Sequence, residues 1–246
     1  MNRLLKKNAI LHAIAWIGIY IGSVNIFDIL SESVGIINLV TSLGLTGLSI
    51  LLVLYLKKQN KIDELGLKHV NKLDYKKMLY FIPLIILAFI QFTGTFNSSL
   101  DFYQILLFGL LMVNVGFIEE VIFRGFLYKA IKEKSGFLRA ILITGTTFGL
   151  GHIVNLMRGM TVENQVEQIV LAIVIGILLS LIVEITQSLI PGIIFHILFN
   201  FSSTIMIFEA KNEFNLLIFI LVLSVVYVFY LFQTQINKRL NLAITK

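Results

Sequence analysis

The sequence has no cysteine, 2 prolines and 1 tryptophan among its 246 residues, and only 14% of it is charged. Without cysteine there is no disulfide, no thiolate metal ligand and no cysteine nucleophile. So little proline, with no low-complexity tract, argues against disorder. The shortage of charge says most. Ordinary globular domains carry about 25% charged and roughly 45–50% apolar residues, whereas here apolar residues reach 57% and mean hydropathy is +0.90. A soluble fold of this size cannot bury so much apolar surface, so lipid must be the solvent for most of the chain. The formal charge of +6 then points to basic cytoplasmic loops rather than to nucleic acid.

What is present instead is a series of apolar runs. A bilayer-spanning helix needs roughly 20 predominantly apolar residues. Such runs lie at Ala9–Phe27, Ile36–Leu56, Met78–Phe96, Phe102–Tyr128, Ala140–Met157, Val166–Ile185, Gly192–Phe208 and Leu216–Gln233. The period-2 alternation of a membrane barrel is absent. The expectation is an all-α polytopic membrane protein, one transmembrane domain over 1–246 with about eight transmembrane helices. The sixth run is the least well defined, because Glu184 and Gln187 sit at its end. The first follows a basic segment, Met1–Asn8, and has no A-x-A-like cleavage site, so it reads as a retained span.

With N- and C-termini cytoplasmic, 17 of the 20 basic residues fall on the inner side, in the two termini, in Lys57–Lys77 and in Lys129–Arg139. Arg158 and Lys211 fall outside, and Arg124 lies within the fourth run. That asymmetry is what the positive-inside rule requires. The loop Lys57–Lys77 is expected to form a short interfacial helix whose lysines meet anionic lipid.

An ionisable group in mid-membrane costs about 2.5–3.5 kcal/mol on insertion scales, so each is a functional hypothesis by default. The fourth run holds Glu119, Glu120 and Arg124, the fifth His152 and the seventh His196. Glu184 and His12 lie near span ends and read as interfacial; Asn114, Asn155, Gln91 and Asn200 are the deepest neutral polar groups. Glu120 and Arg124, four apart, share a helix face and can pair, while Glu119, rotated by about 100°, must face elsewhere. His152 follows Phe148 by four in TTFGLGH, where Gly145, Gly149 and Gly151 let a neighbouring helix approach. His196 and Asn200 repeat the spacing in PGIIFHILFN, either holding an anion between two donors or gluing helices together. At about 1.5 Å per residue the glutamates lie roughly 15 Å, His152 about 20 Å and His196 about 8 Å from the cytoplasmic ends of their runs. One pocket in the inner half of the bilayer, open to cytoplasmic water, is therefore expected.

In order, EEVIFR (Glu119–Arg124), FGLGH (Phe148–His152) and HILFN (His196–Asn200) resemble the EExxxR, FxxxH and HxxxN/D motifs of the CAAX prenyl endopeptidase and bacteriocin-processing (CPBP) intramembrane protease family, also called the abortive-infection family. The resemblance covers about Phe102–Phe208. It implies an endopeptidase that hydrolyses a peptide bond of a membrane-associated or lipidated peptide or protein near the cytoplasmic face. By position, Glu119 is implied as general base and His152 as the residue placing the water. His196 and Asn200 are implied as the oxyanion hole, with the Glu120–Arg124 pair holding the constellation.

Two histidines and a glutamate are also the ligand set of many catalytic zinc sites. A zinc-dependent version on Glu119, His152 and His196 is therefore the alternative to a cofactor-free enzyme; the missing HExxH favours the latter. From another class comes a non-catalytic peptide-binding membrane protein, such as a bacteriocin immunity or scaffold protein. A small transporter fits less well, since neither half repeats the other's charged motifs. The expected partners are the lipid bilayer and a membrane-associated substrate, with no nucleic acid, and the expected location is a bacterial plasma membrane.

Overall fold

The computed structural model describes residues 8–67 and 81–244. It begins with α1 (Ala9–Val34), α2 (Leu39–Lys58) and α3 (Ile82–Phe89), the last running into a 3-10 turn over Ile90–Thr93. Next, α4 (Phe102–Glu120), a π-helical segment (Val121–Tyr128) and α5 (Lys129–Ser135) join into one 34-residue rod. Then α6 (Phe137–Gly151) passes into a 3-10 segment (His152–Arg158), followed by α7 (Val162–Thr186), α8 (Ile190–Ile205) and α9 (Ala210–Ile244). Six of the helices are long and apolar enough to cross a membrane, and Ile82–Thr93 and Ile190–Ile205 are shorter apolar helices. The chain is an all-α, multi-pass integral membrane protein, with a helix in each of the eight apolar runs. Met78–Tyr80 of the third run lie outside the described residues, as does Lys68–Lys77 of the expected interfacial helix. The described part of that loop, from Gln59, forms turns.

Local signals explain where the elements start and stop. Asp101 and Gln104 form a reciprocal capping box at the head of α4, which satisfies two otherwise orphaned backbone donors. Pro191 sits in the first turn of α8, where its missing N–H costs nothing. Three expectations about helix extent are corrected. The third and seventh runs do not stay helical to Phe96 and Phe208: Thr95 pairs with Ile207 and Phe96 with Met206 in the two-residue strands β1 (Thr95–Phe96) and β2 (Met206–Ile207). This ladder satisfies backbone groups that an ended helix leaves open. The fifth run leaves α-helical geometry at His152, just after Gly149 and Gly151. The fourth continues past Tyr128, which is 1% exposed, because Tyr128 and Lys132 both reach the Glu184 carboxylate, each as a hydrogen-bond donor. Glu184, read as lying near a span end, is a buried partner across helices.

Interhelical bonds fix the levels of the bundle. At one end, His12 meets Tyr55, Lys129 meets the Glu64 carbonyl, and the Leu189 N–H donates to the Gly66 carbonyl. Lys57, Lys58, Lys129, Lys132, Lys134 and Arg139 belong to helix segments at this level, the basic end. At the opposite end Thr41 donates to Asp28 and Ser42 to the Leu107 carbonyl. Between the two, Asn114 clamps α4 to α2 through Thr46 and Ser49, and Gln91 ties α3 to the Phe199 carbonyl.

Candidate functional site

The two glutamates at the end of α4 diverge as their 100° offset requires. Glu120 accepts from the Arg124 Nη1 at 2.6 Å, and both side chains are wholly buried. The Arg124 Nη2 reaches the Gly176 carbonyl on α7 at 3.3 Å, and its guanidinium lies 4.3 Å above the Phe148 ring, a cation–π contact. Removing one partner of such a pair strands an uncompensated charge. Arg124 belongs to the π-helical segment, a geometry concentrated at functional sites.

His196 of α8 stands between the carboxylates, with Nδ1 3.1 Å from Glu120 Oε1 and Nε2 3.5 Å from Glu119 Oε2. Helix α8 approaches this closely because residue 192 is glycine: a Cβ there would sit 3.0 Å from Glu120 Oε2. Glu119 turns towards α1 and accepts from the Tyr20 hydroxyl at 2.7 Å. Its Oε2 has no hydrogen-bond partner. A cavity of about 280 Å³ opens at Glu119, and His152, Asn155 and Asn200 line it.

His152 presents one nitrogen inward. Its Nδ1 is 3.1 Å from the Phe148 carbonyl, and a carbonyl only accepts, so Nδ1 carries the hydrogen and Nε2 is left as an acceptor. Phe148 packs edge-on against both His152 and His196, at 5.2 and 5.7 Å between ring centroids. The phenylalanine of the second motif is thus the wedge that orients three functional groups. The α6–α7 seam beneath it depends on Gly145 and Gly149, where an added Cβ would come within 2.9 and 2.8 Å of backbone nitrogens of α7. Gly151, also expected at a close approach, has nothing within 4 Å.

All six residues singled out in the sequence lie on elements that converge here. Glu119, His152 and Asn200 line the cavity, whereas Glu120, Arg124 and His196 stand behind it. Tyr20, Asn25, Asp28, Asn38 and Gln168 also line it without having been singled out; a polar side chain near the end of an apolar run is the one signal that Asn25, Asp28, Asn38 and Gln168 carry, and Tyr20, in mid-run, carries none. Asn114 and Gln91 are structural clamps. His12, read as interfacial, packs between Tyr55 and Phe126.

The cavity does not open where the depth estimate put it. From Glu119 it extends along α4 to Leu111 and along α1 to Asp28, away from the basic end. On the basic side every residue of Val121–Tyr128 is buried. The helical rod also continues to Ser135, which places Glu119 about 24 Å from that end rather than roughly 15 Å. As for a metal, no three His, Asp or Glu side chains among the described residues group so as to hold an ion. Both ring nitrogens of His196 point at carboxylates and His152 Nδ1 is held by a carbonyl, so Glu119, His152 and His196 as placed do not fit a shared zinc ion. No step below runs through one.

Buried carboxylates, imidazoles and an amide gather around a cavity between apolar helices, a polar site within the apolar bundle. Residues 101–202 match the family model described as type II CAAX prenyl endopeptidase Rce1-like. That segment is similar to type II CAAX prenyl endopeptidases, in agreement with the resemblance carried by the three motifs. No curated protein matches the chain, and no solved structure does.

Proposed function

We propose that the chain is an intramembrane endopeptidase in which Glu119 activates a water against a peptide bond of a membrane-associated peptide or protein. The observation behind this is the division of labour between adjacent carboxylates: Glu120 is sealed against Arg124, while Glu119 faces a cavity shared with His152 and Asn200. A water donating one hydrogen to Glu119 and the other to His152 Nε2 turns a lone pair towards the carbonyl carbon. As the C–O bond forms, Glu119 takes the water proton and then passes it to the departing amine nitrogen, and the C–N bond breaks to leave an acid and an amine. The Asn200 amide is the side-chain donor on the cavity wall for the developing oxyanion, where one donor is worth roughly 10²–10³ in rate. His196 reaches that oxyanion only by turning from Glu119; as placed it holds the two carboxylates in register. Glu120 and Arg124 keep the α4–α7–α8 junction closed.

Glu119→Gln keeps the shape of the side chain and removes the base. In proteoliposomes containing a quenched-fluorescence peptide on a membrane anchor, it should slow cleavage by about 10²–10⁴-fold while purified yield stays unchanged. A rate equal to that of the parent chain removes Glu119 from the chemistry and favours a protein that binds peptide without cutting it.

A further inference from the structure

We infer that the cleft is entered from the extracytoplasmic half of the membrane, so that the substrate is a peptide segment lying in or above the outer leaflet. This rests on reading Glu119 as the catalytic base, and the cavity has a direction. Tyr20 bonds Glu119, and the cavity runs from that level to Asp28 on α1 and to Leu111 on α4. Each is eight residues further along its helix, about 12 Å, and both lie towards the end opposite the basic loops.

The other route is plugged. Between Glu119 and the basic end, His12, Trp16, Tyr55 and Phe126 pack together. His12 is 4.8 Å and Trp16 6.2 Å from the Phe126 centroid, and the Tyr55 hydroxyl is 2.8 Å from His12 Nε2. The buried π-helical segment continues the plug across the bundle. A peptide arriving from the basic side meets four packed rings before it meets a carboxylate.

The basic residues set the side. Lys57, Lys58, Lys129, Lys132, Lys134 and Arg139 mark one end and Arg158 and Lys211 the other, so the positive-inside rule makes the basic end cytoplasmic. The open end therefore faces outwards. Its wall is polar: Asn25, Asn38 and the hydrogen-bonded pair Asn155–Gln168 line it, and Asp28 adds a carboxylate near the mouth.

Because the chain has no cysteine, single cysteines report access without any background. In intact cells, Asp28→Cys and Asn38→Cys should react with a membrane-impermeant maleimide at least about 10-fold faster than Lys134→Cys, which should react only after permeabilisation. Met112→Cys, deeper in the cleft, should react from outside with a small charged methanethiosulfonate. Reaction of Lys134→Cys in intact cells overturns the inference, as does reaction of both mouth cysteines only after permeabilisation. Reaction of Met112→Cys from the inside alone, or from neither side, does the same. Two mouth positions guard against one variant that fails to fold. Labelling needs no turnover, so these outcomes are separate from the Glu119→Gln test: a cleft open to the outside in an inactive protein sinks the protease reading and leaves the access route standing.

Discussion

Tyr20 sits in IGIYIGS, a stretch that looks like any lipid-facing run, yet its hydroxyl donates to Glu119 from 99 residues away. A hydrogen bond to a charged group is worth about 1.5–3 kcal/mol, and here it holds one carboxylate oxygen while the other lies 3.5 Å from His196 Nε2. Tyr20→Phe should therefore lower kcat by roughly 10- to 100-fold with KM little changed, while thermal unfolding in detergent moves by a few degrees at most. A fall in stability with kcat intact would make Tyr20 a packing residue only. The contrast with the three motifs shows what was legible at this scale. The i, i+4 spacing of Glu120 and Arg124, and the rotation of Glu119 away from them, follow from helix geometry and were readable. The Tyr20 bond depends on how α1 docks against α4, which no local pattern encodes. The partners of Glu184 were illegible for the same reason: Tyr128 and Lys132 lie on another helix.

Among the elements, the seam between α6 and α7 does most to position the chemistry, because it carries Phe148 and His152 on one side and the Gly176 carbonyl that Arg124 uses on the other. Small residues in the fifth run announced a close helix approach, and the structure separates those that make it from the one that does not. A Cβ at Gly149 would lie 2.8 Å from the Ile173 nitrogen and 2.9 Å from the Ile169 oxygen, both backbone, whereas at Gly151 it would meet nothing. Gly149→Ala should accordingly cost about 1–3 kcal/mol through forced separation of the helices, read as a lowered midpoint by circular dichroism, with cleavage lost in parallel. Gly151→Ala should be neutral or stabilise by up to about 1 kcal/mol through helix propensity. Equal effects at the two positions would mean that the seam is not the constraint. Element ends were harder to read than element existence. Apolar composition announces a helix, but α3 and α8 stop where β1 and β2 pair, and the fourth run is prolonged by a buried carboxylate on α7.

At the scale of the whole molecule, the motifs and the cavity wall come from different parts of the chain. The seven residues of the three motifs all fall inside the matched segment, 101–202. The cavity, by contrast, is walled on one side by Tyr20, Asn25, Asp28, Asn38 and Thr41, which precede that segment. On the proposed function, changing α1 and α2 gives one core different substrates, so the motifs alone leave the substrate unnamed. It also sets the order of kinetic effects. Asn200→Ala acts where charge develops and should lower kcat with KM nearly constant, as expected for an interaction made only in the transition state. Asp28→Asn keeps an acceptor for the Thr41 hydroxyl, which lies 2.6 Å away, and removes only the charge at the mouth. For a membrane-anchored peptide with lysine on the segment nearest the mouth, KM should rise about fivefold, or roughly 1 kcal/mol, the size of one partly screened ion contact. For the same peptide with glutamine in that place KM should stay constant, and kcat should hold for both. An equal change for the two peptides would show that Asp28 shapes the cavity without reading charge, and selectivity would then have to be sought among the amides of Asn25, Asn38, Asn155 and Gln168.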